Sequence, residues 1–243
     1  MAQSRGAMGR DAVGPDAVGQ VPDEGEGDAL TRDGAEGRET DMPTAEAAAG
    51  DKAPRTERGK RTLRKLLDAA ALEFGERGFH EASVSGITQR AAVALGTFYT
   101  YFDSKESLFR ALVEDMGALT RRWIAERVAQ APDRLTAERV GLEAFIEFVR
   151  AHRNLYRIVM EAQFVAEDAY RRYYQVFADG YINNLESAKK RGEIREGDVE
   201  VRAWALIGIS VFIGQRYAVW GDDRPAADIA AEAADFIARG LKP

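Results

Sequence analysis

The chain has no cysteine and only two histidines in 243 residues. Without cysteine there is no disulfide framework and no thiolate chemistry, which fits a reducing, cytoplasmic setting. His80 and His152 stand beside no serine or carboxylate dyad in the sequence, and no HExxH, Cys/His cluster or phosphate-cradling glycine loop occurs. These absences argue against an enzyme and give no reason to expect a metal or cofactor. The longest apolar stretch, Ala203 to Gly214, is well short of the ~20 residues that span a bilayer. It predicts a buried helix and no membrane partner. The chain does not open with a basic segment followed by an apolar run, so no secretory signal is expected.

Charge is present but unevenly placed. Residues 1–54 carry 12 acids against 5 bases, a balance of −7, whereas the whole chain is −6. Everything after Pro54 is therefore close to neutral, at about +1, and the overall acidity hides a region able to meet nucleic acid. Residues 1–54 are rich in Gly, Ala, Asp and Glu and hold too little apolar surface to offset the entropy of ordering a backbone. They predict a disordered acidic tail.

From Arg55 onward the pattern is helical. Leu63, Leu66, Leu67, Ala70, Ala71 and Phe74 recur on one helical face, and Gly78 is placed to end that helix with Phe79 folding back toward Phe74. Ser83 reads as the N-cap of a short second helix with Val84, Ile87, Thr88 and Ala91 inward. After a break near Ala92-Val93 a third helix runs to about Phe102. Asp103-Ser104-Lys105-Glu106 then reads as a capping box opening a long fourth helix. Further interruptions fall at Ala131–Asp133, Phe164–Asp168, Gly192–Asp198 and Gly221–Pro225. The predicted class is all-α, with about nine helices.

Three short helices, the last two joined by a tight turn, form a helix-turn-helix whose final member fits the major groove of double-stranded DNA. The segment Val93-Ala94-Leu95-Gly96-Thr97-Phe98-Tyr99-Thr100-Tyr101-Phe102-Asp103-Ser104-Lys105-Glu106-Ser107-Leu108 closely resembles the recognition-helix signature of the TetR/AcrR (tetracycline-repressor) family. The resemblance covers about Arg58 to Leu112. It implies a DNA-binding domain at 55–104 and a helical effector-binding and dimerisation domain at 105–243. It further implies that Thr97 and Tyr101 contact phosphates, that Leu95, Gly96 and Tyr99 lie nearest base edges, and that Thr100 belongs to the same set. Gly96 lets the helix start approach DNA closely. Lys105, at the start of the fourth helix, is expected to face a phosphate. Arg55, Arg58, Lys60, Arg61, Arg64 and Lys65, opposed only by Glu57, suit backbone contacts or a minor-groove arm. The segment departs from the signature at Ala92 (usually glycine), Ala94 (usually a serine cap), Ser85 (often a base-reading arginine) and Thr88 (often alanine).

For the body, the resemblance implies that the last two helices pair with those of a second copy to form a homodimer. The sequence agrees, because the eighth helix is apolar nearly all round. Trp204, Gly208, Val211 and Phe212 there, with Ile229, Ala233 and Phe236 on the ninth, are the expected interface. Helices five to seven are rich in aromatics, and Tyr170, Tyr174, Phe177 and Tyr181 form an inward stripe. Phe145, Phe148, Tyr156, Met160, Phe164, Tyr174, Phe177, Tyr181, Phe212 and Arg216 are the expected pocket for a mainly apolar effector. Arg150, Arg153, Arg157, Lys189, Lys190 and Arg191 are candidates for an anionic head group such as that of an acyl-CoA. The mechanism the resemblance implies is a ligand-responsive repressor. Effector binding displaces the fourth helix and changes the spacing of the two recognition helices on a pseudo-palindromic operator. The alternative is a dimeric helical adaptor that no longer binds DNA specifically.

Overall fold

The computed structural model describes Lys52 and residues 54–242. The expectation of a disordered tail therefore falls almost wholly outside the described residues. Lys52 itself donates from Nζ to the backbone carbonyl of Tyr99 (3.1 Å) and pairs with Asp103.

Among the described residues there are nine α-helices and no strand. They are α1 (Glu57–Glu81), α2 (Val84–Arg90), α3 (Leu95–Tyr101), α4 (Lys105–Val128), α5 (Arg134–Ala151), α6 (Arg153–Val165), α7 (Glu167–Lys190), α8 (Val199–Gly214) and α9 (Ala226–Leu241). A π-helical segment, Gln215–Val219, continues α8 and was not expected from the sequence.

α1 forms because its apolar residues recur on one face, and Leu63, Leu66, Leu67, Ala70 and Phe74 are all buried. At Gly78 the backbone leaves helical geometry with φ 76°, a value that suits only glycine without strain. The chain turns there, and the Phe79 ring stacks on Phe74 with centroids 5.8 Å apart. Ser83 caps α2 by accepting the Gly86 amide. Ser104 caps α4 by accepting the Ser107 amide, and its own amide donates to the Ser107 hydroxyl oxygen, so the box is Ser104–Ser107 and its second member is not Glu106.

The four interruptions predicted beyond α4 all appear, but α5 and α6 also part at His152, where no glycine or proline marks a break. His152 leaves helical geometry (φ −129°, ψ 43°) while its ring stacks on Phe148 at 4.4 Å and Nδ1 contacts the Phe148 carbonyl. The aromatic contact substitutes for the missing punctuation.

Three cores result. The first joins α1–α4 to the inner faces of α6 and the start of α7. The second lies between α5, Tyr156, the π segment and the start of α9. The third joins the end of α7 to α8 and the end of α9. No helix among the described residues is long and apolar enough to cross a membrane.

Candidate functional site

α3 is divided cleanly between its two faces. Phe98 is fully buried and meets Phe102 at 5.8 Å, whereas Leu95 and Tyr99 are about half exposed, at 51% and 49%. Thr97 is half-buried, Tyr101 packs on the first core, and Thr100 is exposed with its hydroxyl on the Gly96 carbonyl. A methyl group added at Gly96 would meet nothing within 4 Å. Neither packing nor backbone angle requires glycine there, so any requirement comes from outside the chain.

The turn before α3 carries the departures noted in the sequence. Ala92 sits at φ 53°, the left-handed region where a Cβ is strained, and Ala94 provides no side-chain cap. The Ser85 hydroxyl is exposed and lies 3.1 Å from that of Ser83. Thr88 is buried, and its hydroxyl turns back to the Ser85 carbonyl, so it presents nothing outward. α2 is fixed to α1 by charge: Arg90 donates to the buried Glu73 at 2.6 Å and to Glu76 at 2.5 Å.

Arg55, Arg58, Lys60 and Arg61 are exposed at and just before the start of α1, as are Arg64 and Lys65. Arg64 is not opposed only by Glu57, because Asp68 and Asp115 both accept from it. Lys105 departs most from expectation. Its ammonium donates to the carbonyls of Phe79 (2.7 Å), Ala82 (2.9 Å) and His80 (3.3 Å) and lies 4.4 Å from the Phe79 ring centroid. The three donors are spent on the end of α1, where carbonyls lack helical partners. Lys105 thus clamps the first helix against the fourth and does not point its charge toward solvent.

In the body, a cavity of about 280 Å³ lies between α4, α5, α7 and α8, with Tyr156 of α6 in its wall. Of the expected pocket residues, Phe145, Tyr156, Tyr174, Phe177 and Tyr181 line it. The others are elsewhere. Phe148 is buried in the second core, and Met160 packs at that core's edge. Phe164 and Phe212 are on the surface, and Arg216 donates to the Gly221 carbonyl beside Asp222. The apolar character of Phe164, at a helix end, and of Phe212, on a helix apolar nearly all round, could not say which way either faces.

Sequence reasoning missed the charged lining. Arg121 and Arg134 reach the cavity, together with Asn184 and Ser210. The tyrosines there stay protonated at neutral pH. Burial pushes Tyr156, Tyr174 and Tyr181 up and takes Tyr173 to about 12. The Tyr156 hydroxyl donates to the Val211 carbonyl at 3.0 Å, which joins α6 to α8.

The basic residues considered for an anionic head group are mostly engaged inside the chain. Arg150 donates to the carbonyls of Tyr217, Asp222 and Arg224, and Arg157 donates to that of Gly75. Lys189 pairs with Glu186 and Arg191 with Glu193.

Of the expected interface, Trp204, Phe212 and Phe236 are exposed at 41%, 72% and 71%, and Gly208 has open space beside it. Val211 instead lines the cavity, Ile229 is buried in the second core, and Ala233 packs against it half-buried. Gly214 permits close packing within the chain, since a Cβ there would fall 2.7 Å from the Phe145 ring.

Residues 66–112, from within α1 to the first turns of α4, match the family model of bacterial regulatory proteins, tetR family. YdgC, an HTH-type transcriptional regulator of Bacillus subtilis (strain 168), is 29% identical over 191 residues, covering 76% of this chain and 95% of the relative. The fatty acid metabolism regulator protein of the same organism is 29% identical over 153 residues, covering 59% of this chain and 77% of its own. The crystal structure of the transcriptional regulator FadR from Bacillus subtilis in complex with stearoyl-CoA aligns with a TM-score of 0.65 at 21% identity. That alignment covers 73% of this chain and 98% of the other, and at this identity the likeness is one of fold. These likenesses support a tetR-family transcriptional regulator, with the family's DNA-binding segment at residues 66–112 in an N-terminal helix-turn-helix and a helical C-terminal body behind it.

Proposed function

We propose that the chain is an operator-binding repressor that acts as a homodimer and leaves its DNA when a mainly apolar small molecule fills the cavity beside Tyr156 and Tyr174. In this reading residues 55–104 bind DNA and residues 105–243 sense the effector and dimerise. The observation that carries it is the division of α3. Its inner face is fixed by Phe98, while Leu95, Gly96 and Tyr99 stand outward with nothing of this chain beside Gly96. A half-exposed leucine and tyrosine flanking an unobstructed glycine suit thymine methyls and base edges in a major groove. The exposed basic residues from Arg55 to Arg61 suit the flanking phosphates.

Dimerisation draws support from Trp204, Phe212 and Phe236, three large apolar side chains on the outer faces of α8 and α9. Surfaces of this kind are normally covered by a partner.

Coupling runs through two helices. α4 begins at the Lys105 clamp and ends with Arg121, Ile124 and Val128 at the cavity. α6 places Tyr156 at the cavity while Arg157 and Glu161, on other faces, hold the Gly75 carbonyl and the Phe79 amide of α1. An occupant that moves α4 or α6 therefore acts on the base of the helix-turn-helix. It changes DNA affinity only by binding one arrangement better than the other. The stearoyl-CoA bound by the FadR neighbour and the name of the fatty-acid relative make an acyl compound the first effector class to test.

The test is fluorescence anisotropy with a promoter fragment from beside the gene. Tight binding that weakens steeply with salt and exceeds binding to scrambled DNA is expected. Gly96→Leu should leave the melting temperature unchanged while lowering operator affinity by about 10- to 100-fold, on the order of 1–3 kcal/mol. Weak binding indifferent to sequence would leave the adaptor reading instead.

A further inference from the structure

Two guanidinium groups reach the cavity, and the chain treats them differently. Arg134 lies 3.1 Å from Glu138, both side chains being almost wholly buried, so a carboxylate stands beside its charge although neither its Nε nor Glu138 Oε1 makes a hydrogen bond. Arg121 has no carboxylate at ion-pair distance among the described residues, and its buried Nε has no hydrogen-bond partner. Its neighbours are the Phe177 ring, 5.5 Å from the guanidinium carbon to the ring centroid, and the Tyr173 phenol. The buried phenols remain neutral and cannot serve as its counter-ion. The backbone makes room for this placement. A Cβ at Gly117 would lie 2.9 Å from a terminal nitrogen of Arg121 and 3.1 Å from the Tyr173 ring.

A half-buried guanidinium whose Nε is sealed from water with no acceptor costs the fold free energy, which an incoming acceptor can recover. We propose that the effector is a carboxylate with an apolar body, and that Arg121 binds its charge inside the cavity. This rests on the effector reading above and narrows it to one chemical class. A guanidinium fork matches a single carboxylate through two parallel hydrogen bonds, and aromatic walls suit the apolar remainder. The volume, about 280 Å³, falls just below the usual range for ligand pockets (~300–1,000 Å³) and favours a medium-chain or aryl acid. An acyl-CoA entering chain first would set methylenes against Arg121 and leave its charge unanswered.

Calorimetric titration of the full chain with hexanoate, octanoate, decanoate and 4-phenylbutyrate tests this, each acid beside its primary amide and decanoate also beside decanoyl-CoA. At least one acid should bind ten-fold or more tightly than its amide and displace the operator fragment. Arg121→Met should erase the acid-over-amide preference and melt no lower than the wild type, since it removes an unpaired charge. Gly117→Ala keeps the charge but displaces it, and should narrow the preference; it carries the test should Arg121→Met fail to fold. Equal binding of acids and amides, no binding by any acid, tighter binding of decanoyl-CoA than decanoate, or a preference that survives both variants would each overturn the proposal. Operator binding without ligand is read separately, so loss of the regulator reading and loss of the carboxylate reading give different results.

Discussion

The helix-turn-helix and the cavity wall handle buried polar groups in opposite ways. Around α1–α3 every buried charge meets its complement: Glu73 holds Arg90, and the Lys105 ammonium is met by three carbonyls. In the body a cavity lies between α4 and α7, and the Arg121 guanidinium beside it has aromatic neighbours and a buried Nε with no hydrogen-bond acceptor. The first region closes its polar groups within the chain and leaves only one face of α3 outward, whereas the second keeps a cavity with a polar group facing it. In the proposed reading that division suits a ligand-controlled regulator, because binding would act on the second region first.

The largest effect should separate the two regions directly. Phe98→Ala empties a fully buried site and should cost about 3–5 kcal/mol. Phe177→Ala, on the cavity wall and only half-buried, should cost about 1–2 kcal/mol. Denaturant melts that gave the two variants equal losses would erase the contrast.

Lys105→Met comes next. Three carbonyls lose their donor, so stability should fall by about 1–3 kcal/mol, with faster amide exchange in α2 and α3. An unchanged melting temperature with lost operator affinity would instead return Lys105 to a phosphate.

Ala92→Gly should stabilise the turn by about 1–2 kcal/mol, since glycine adopts φ 53° without strain. A drop in the denaturation midpoint would show that the methyl group makes a compensating contact.

The smallest effect lies in the body. Asp222 accepts from the Arg224 side chain and amide, which holds its carboxyl near 2, below the usual 3.8. A depressed folded pKa stabilises above the unfolded value and loses that contribution as pH falls through the folded one. The melting-temperature gap between wild type and Asp222→Asn should therefore be full above about pH 5 and narrow as pH falls from about 4 to about 2. A gap independent of pH would assign the loop to other contacts.

How much was legible in the sequence differs between the regions for the same reason. Gly78, Ser83 and Ser104 are local signals whose partners lie within a turn or two of chain, and each ends or starts a helix where periodicity placed it. The break at His152 carries no such signal, because an aromatic stack makes it. Val211 and Phe212 are adjacent on an all-apolar helix, and only packing decided that one lines the cavity while the other faces outward.

The sequence by itself determined the helical class, the outward face of α3 and the likeness to tetR-family regulators, because these follow from periodicity, capping and one contiguous motif. Tertiary structure alone decided that Lys105 holds the end of α1, that the Arg121 Nε has no acceptor, and that Phe145, Tyr156, Tyr174, Phe177 and Tyr181 share one cavity. Those properties depend on which side chains approach from distant helices, and periodicity along one helix carries no record of what stands opposite it.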